Sequence, residues 1–196
     1  LRRRAGPTSK IPIRRRPPRQ DAVRGRAHAA NGRLRTCNGP ETVSLTDGPL
    51  EVTIDLRIDG LGKLTIDGGQ RNRIFSVREP AIFEVIGMGM TGGNASDADP
   101  PHGGAIRGAV GTEITVRDCQ IYGNVTLGNG GGVNSSDDLS IIGSVVTDNE
   151  ADGHGGGVSV FGDALIQNSV ISNNSSGNRG GGLALWKQTL VENSTI

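Results

Sequence analysis

Glycine clusters recur along this chain at a nearly constant interval, and that period restricts the fold more than any other feature. The clusters are Gly103-Gly104-Ala105-Ile106, Gly131-Gly132-Val133, Gly156-Gly157-Val158 and Gly181-Gly182-Leu183, and their terminal apolar residues are 27, 25 and 25 residues apart. A second series keeps a spacing of 25 throughout: Asp118-Cys119-Gln120-Ile121, Gly143-Ser144-Val145-Val146, Asn168-Ser169-Val170-Ile171 and Asn193-Ser194-Thr195-Ile196. Asn124, Asn149 and Asn174 share that period. Self-similarity of this length marks a solenoid, in which one repeat cannot bury its apolar face alone and stacking supplies the core. Within each repeat apolar and polar residues alternate (Leu139, Ile141; Ser144, Val146; Val158, Val160), which is the period of a strand and not of a helix. The expectation is an all-β chain, a right-handed parallel β-helix of about six coils, each of about 25 residues with three short strands between Gly/Asn/Asp turns.

Stacked coils bring equivalent residues into ladders. Cys119, Ser144, Ser169 and Ser194 are small enough for a narrow tube, and an inward Asn at a turn can donate to and accept from backbone and neighbouring amides along the stack. The register extends upstream through Leu64-Thr65-Ile66, Met88-Gly89-Met90 and Ile121, separated by 24 and 31 residues, with the six extra residues assigned to the loop Thr91–His102. Val52-Thr53-Ile54 and Leu56–Gly60 read as the first strands. With 32 glycines and only five aromatics (Phe75, Phe83, Phe161, Tyr122, Trp186), large aromatic anchors are not expected to fill this core.

The net charge of +1 conceals a division. Residues 1–36 hold 12 of the 21 Lys and Arg with Asp21 as their only acid, whereas residues 37–196 hold 9 basic and 19 acidic residues and carry −10. An acidic body lacks the clustered cations that nucleic acid requires; only the first segment has the charge to bind anions. That segment, dense in Arg and Pro and without apolar periodicity, is expected to be a disordered basic arm or a non-native tail. Residues 37–196 form the β-helix, which stops in mid-strand at Ile196 and is expected to continue into further C-terminal sequence. Two cysteines make no disulfide framework, and no run approaches the roughly 18 apolar residues of a membrane helix.

Gly103-Gly104-Ala105-Ile106, together with Ile121-Tyr122-Gly123-Asn124, Val146-Thr147-Asp148-Asn149 and Ile171-Ser172-Asn173-Asn174, resembles the GGAI and FxxN repeats of chlamydial polymorphic outer membrane proteins. Those proteins belong to a broad class of bacterial secreted β-helix proteins. Leu56–Gly69 followed by Arg73-Ile74-Phe75 is similar to the opening coils of that class, and the likeness covers roughly residues 43–196. The Phe of FxxN is Ile or Val here, so the match is to the wider class. The resemblance implies export, an extracellular, outer-membrane or cell-surface location and an adhesive or structural role toward host or matrix glycans or proteins. It carries over no catalytic residue.

The alternative is a fragment of a polysaccharide lyase or glycoside hydrolase on the same fold. Gly153-His154-Gly155 with Asp137-Asp138 resembles paired motifs of polygalacturonase-type hydrolases, whose chemistry needs an acid and a base carboxylate around a water. His154, however, occupies a repeat position shared by His102, Asn129 and Arg179, so the repeat itself accounts for a glycine-flanked His. That column reads either as a solvated turn edge or as a polar stripe for an anionic or sugar ligand. Phe161 and Trp186, 25 apart, stack either as packing between coils or as a sugar platform. Asp148, Glu150 and Asp152 alternate as calcium ligands do, with Asp97 and Asp99 of the long loop as further oxygens. The Glu that would close an EF-hand is replaced by Ser159, and exposed turn acids explain the pattern without an ion. No other cofactor is implied. A chain beginning at Cys37 should unfold at the same temperature as the full chain; a large loss in a thermal scan would make residues 1–36 a cap on the first coil.

Overall fold

The computed structural model describes residues 39–196, so the basic segment 1–36 lies outside the described residues. These form an all-β parallel solenoid of about six turns with no helix among them. The longest sheet carries Glu41–Ser44, Leu56–Asp67, Ile82–Thr91, Glu113–Arg117, Gln120–Tyr122, Leu139–Ile142, Val145–Thr147, Ala164–Gln167, Val170–Ser172 and Thr189–Glu192. A second sheet stacks Leu50–Val52, Phe75–Val77, Ile106–Gly108, Val133–Ser135, Val158–Val160 and Leu183–Leu185, and a short third holds Val125–Thr126, Glu150–Ala151 and Ser175–Ser176.

The central register is the expected one. Ile66 pairs with Met90, Met90 with Ile121, Ile121 with Val146 and Val146 with Ile171. Each later coil has four strand segments, however, and not three. Ile82–Thr91 pairs with both Glu113–Arg117 and Gln120–Tyr122, and the break between those two falls at Asp118, whose φ is +52°. A single left-handed residue interrupts the extended backbone and turns the strand.

The same device recurs at three corners of the coil. Asp118, Gly143, Asn168 and Asn193 form one left-handed column, Gly123, Asp148 and Asn173 a second, and Gly103, Gly130, Gly155 and Gly180 a third. Only Gly, Asn and Asp visit that region at low steric cost, which is why these types keep the period. In the third corner the next residue is tight as well: a Cβ on Gly104, Gly131 or Gly156 would meet a backbone oxygen at 2.3, 2.4 or 2.2 Å.

Behind the corners, polar side chains face inward and are satisfied by the stack. The Asn149 Oδ1 accepts from the Asn124 backbone N–H (3.1 Å) and Nδ2 (2.9 Å), while Asn149 Nδ2 donates to Ile121 O (3.0 Å), Thr147 O (2.9 Å) and Asn174 Oδ1 (3.0 Å). The Ser ladder works alike, with the N–H groups of Cys119, Ser144 and Ser169 each donating to the next hydroxyl at 3.1 Å. Between the ladders lies the apolar core of Ile106, Ile114, Val116, Ile121, Val133, Ile141, Val146, Val158, Ile166 and Ile171. Aromatics do contribute at its first coils: Phe75 and Phe83 are fully buried with centroids 5.0 Å apart.

The 31-residue step holds, but its insertion is divided. Phe75 aligns with Ile106 and Phe83 with Ile114, whereas Ile106 aligns with Val133 and Ile114 with Leu139. Four of the six extra residues therefore lie between Thr91 and Gly103, and two widen the turn between Gly108 and Glu113. Asn149→Ala should lower stability in urea unfolding by about 3 kcal/mol, because it strands buried amide and carbonyl groups. Asn173→Gly, at an exposed left-handed corner, should change it by under about 1 kcal/mol.

Candidate functional site: the outer face of the second sheet

The strands of the second sheet have three residues each, with the outer two facing the core and the middle one facing out. Those middle residues align as Glu51, Ser76, Arg107, Asn134, Ser159 and Ala184. An outward face is ordinarily wet, yet Ser76, Asn134 and Ser159 are 2%, 2% and 0% exposed. Small polar residues thus occupy the middle of this face and are shielded from solvent. Asn134 Nδ2 donates to Ser159 Oγ at 3.2 Å along the column.

At the C-terminal end this face is aromatic. Phe161 and Trp186 continue their strands on the outward side and stack nearly parallel, centroids 4.3 Å apart at 9°. His154, at the turn before Val158–Val160, meets the Trp186 ring edge-on at 5.6 Å and 82°. Since His154 and Phe161 flank that strand, contact with both places the indole across the strand's outer face. Phe161 and Trp186 remain 39% and 46% exposed. The structure thus gathers three residues singled out in the sequence, His154, Phe161 and Trp186, into one patch.

The turn column of His102, Asn129, His154 and Arg179 has a visible structural task in its first members. His102 Nδ1 accepts from the Asn129 N–H at 3.0 Å, and Asn129 Oδ1 accepts from the His154 N–H at 2.8 Å. His154 Nδ1 is buried and has no hydrogen-bond partner among the described residues, while its Nε2 lies 3.4 Å from Asn178 Nδ2. Arg179 is exposed. His102 must be neutral at Nδ1 to accept; burial above all, then Arg107 and Arg73, hold its pKa below the ordinary 6.5.

The other end of this face is cationic. Arg73 stands at the register position that Gly104, Gly131, Gly156 and Gly181 take in later coils. It is buried, and its Nε donates to His102 O (2.9 Å) and Gly103 O (3.0 Å) while Nη2 donates to Pro100 O (2.8 Å). It thereby pins the end of the inserted loop. Burial first, then Arg107, pushes the Arg73 pKa down to about 10, which leaves it protonated at neutral pH. Arg78 pairs with Glu51. Arg107 forms no ion pair among the described residues, and its Nε is buried without a partner. Neither Arg73 nor Arg107 belongs to a motif, although each breaks a ladder that is otherwise Gly or small and polar in the later coils.

The acidic candidates stay apart. Asn94 of the inserted loop bridges to Val125, and Val125 pairs with Glu150, so one coil separates Asp97 and Asp99 from the edge of Asp148, Glu150 and Asp152. Among the described residues no three His, Cys, Asp or Glu side chains gather closely enough to hold a metal ion. Asp137 Oδ2 accepts from the Gly111 N–H and Asp138 Oδ1 from the Asp163 N–H at 2.6 and 2.9 Å, in the turn on the far side of the strand from the His154 column. Asp163 Oδ1 repeats the Asp138 contact with the Gln188 N–H at 3.2 Å, so Asp138 belongs to a capping ladder. Cys119 is buried, and burial pushes its thiol up to about 11, the opposite of an activated nucleophile.

Comparison of the chain with protein-family models, curated proteins and solved structures found no match. The site therefore speaks only through its own geometry. Because folding keeps His102 neutral where the unfolded chain takes up a proton, stability is complete above about pH 6.5 and declines as pH falls toward the lowered folded value. His102→Asn, which retains an acceptor as Asn129 does one coil on, should flatten that decline in urea midpoints measured from about pH 8 to 5.

Proposed function

We propose that this chain is a non-catalytic extracellular or cell-surface module of bacterial type that adheres to glycans through the outer face of its second sheet. The observation that carries the reading is the exposed Phe161–Trp186 stack with His154 at its edge. The C–H face of a sugar ring is apolar and flat, and it covers an exposed indole plane while its hydroxyls reach neighbouring polar groups. His154 lies beside the ring, and the exposed Asn178 amide, 3.4 Å from His154 Nε2, is the polar group near it. Each aromatic directly follows a strand fixed in register, Val158–Val160 by the coils on either side and Leu183–Leu185 by the coil before it, so little side-chain freedom is lost on binding. The alternative hydrolytic reading finds its carboxylates engaged as turn caps.

Trp186 is the chain's only tryptophan, so its fluorescence reports on the site alone. Titration with neutral hexasaccharides, maltohexaose and cellohexaose among them, should shift that emission saturably, and Phe161→Ala should weaken binding at least roughly tenfold in calorimetry. If no oligosaccharide binds, or binding survives the Trp186→Ala and Phe161→Ala changes, the stack is packing between coils and the reading is wrong.

A further inference from the structure

We infer that the outer face of the second sheet selects anionic glycans, with Arg107 as the residue that receives a carboxylate or sulfate group; this rests on the glycan reading above and names its ligand class. Arg107 occupies the middle column of the second sheet, in register with Ser76 on one side and Asn134 on the other. Along that column it stands two strands from Ser159 and three from Ala184, the residue two before Trp186. At the spacing of adjacent strands the two ends are roughly 14 Å apart, within reach of one extended chain of a few sugars that stacks on Trp186. Between them Asn134 and Ser159 are small, uncharged and buried, so a ligand joining the two ends passes over them and not against them.

The cationic end is built and not incidental. Arg73 is buried on three backbone carbonyls and keeps its charge. Arg78 is consumed by Glu51. Of the carboxylates whose fields favour charge on Arg107, Glu51 is already paired and Asp99 makes no ion pair with it among the described residues. A half-buried guanidinium with a buried, unpartnered Nε and two arginine neighbours is poorly placed unless something negative completes it. A planar carboxylate or a sulfate matches the donor fork of a guanidinium. His102, held neutral with its Nδ1 occupied by the Asn129 N–H, presents its Nε2 proton as a further donor in the same surroundings. The body of the chain is acidic overall, so this concentration of arginine on one face is local.

The test uses the full chain and three hexasaccharides of equal length: neutral maltohexaose, a hexagalacturonate carrying carboxylates, and a sulfated maltohexaose. Binding is read from Trp186 emission and calorimetry at two salt concentrations. The charged oligomers should bind roughly tenfold or more tightly than the neutral one, with the advantage shrinking as salt rises. The tighter of the two charged arms identifies the group. In Arg107→Gln that advantage should vanish, whereas Arg107→Lys should keep part of it, and thermal scans verify that both variants fold. Equal affinity for charged and neutral oligomers overturns the inference while leaving the glycan reading intact. An advantage that persists undiminished in Arg107→Gln assigns it to the basic segment 1–36 and overturns the inference too. If no hexasaccharide binds, both readings fall together.

Discussion

Backbone pairing from coil to coil holds this molecule together, and it works only if every coil returns to the same register. The chain secures this at corners where φ is positive: the Asp118, Gly143, Asn168, Asn193 column, the Gly123, Asp148, Asn173 column and the Gly103, Gly130, Gly155, Gly180 column. A left-handed residue reverses the local twist within one position, so the strand on each side stays short and straight. Because the turn is made by one residue, its side chain is free for other work. Asp and Asn at the first two corners face out, and the residue that follows faces in as Cys, Ser or Asn.

Those inward residues explain how a tube with few large side chains stays dry and ordered. Each Asn amide is satisfied by carbonyls of its own coil and the one before, and each Oδ1 by the preceding backbone N–H. A partly satisfied polar interior is worse than an apolar one, whereas a complete one specifies register. The outer face of the second sheet obeys a different rule. Arg73 in a glycine column and Arg107 in a column of small polar residues are departures from the repeat that the register does not require.

The repeat made the architecture legible. Alignment of Ile121, Val146 and Ile171, the Asn and Ser ladders and the 24- and 31-residue steps all appear in the structure as the period indicates. Two expectations failed for physical reasons. A strand break at Asp118 looks in sequence like any polar residue between apolar ones, because the alternation continues across it, and only φ reveals the corner. The inserted residues divide between two turns: four lie before Gly103, where Arg73 binds the carbonyls of Pro100, His102 and Gly103 from nearly 30 positions away, and two lie after Gly108, in a turn already as wide one coil earlier between Phe75 and Phe83.

The candidate site shows the same division more sharply. Phe161 and Trp186 could be paired from their spacing, since a period carries equivalent residues into contact wherever the backbone lies. His154 could not be joined to them that way, because it belongs to a different column, nor could Arg107, whose isolation depends on where Glu51, Arg78 and Asp99 come to rest. The sequence alone determined what repeats: the fold, the coil length, the ladders and the residue types at the corners, all set by local stereochemistry and a fixed period. Only the tertiary structure decided what meets across columns, because contacts between non-equivalent positions depend on how the coil closes in space and leave no period to read.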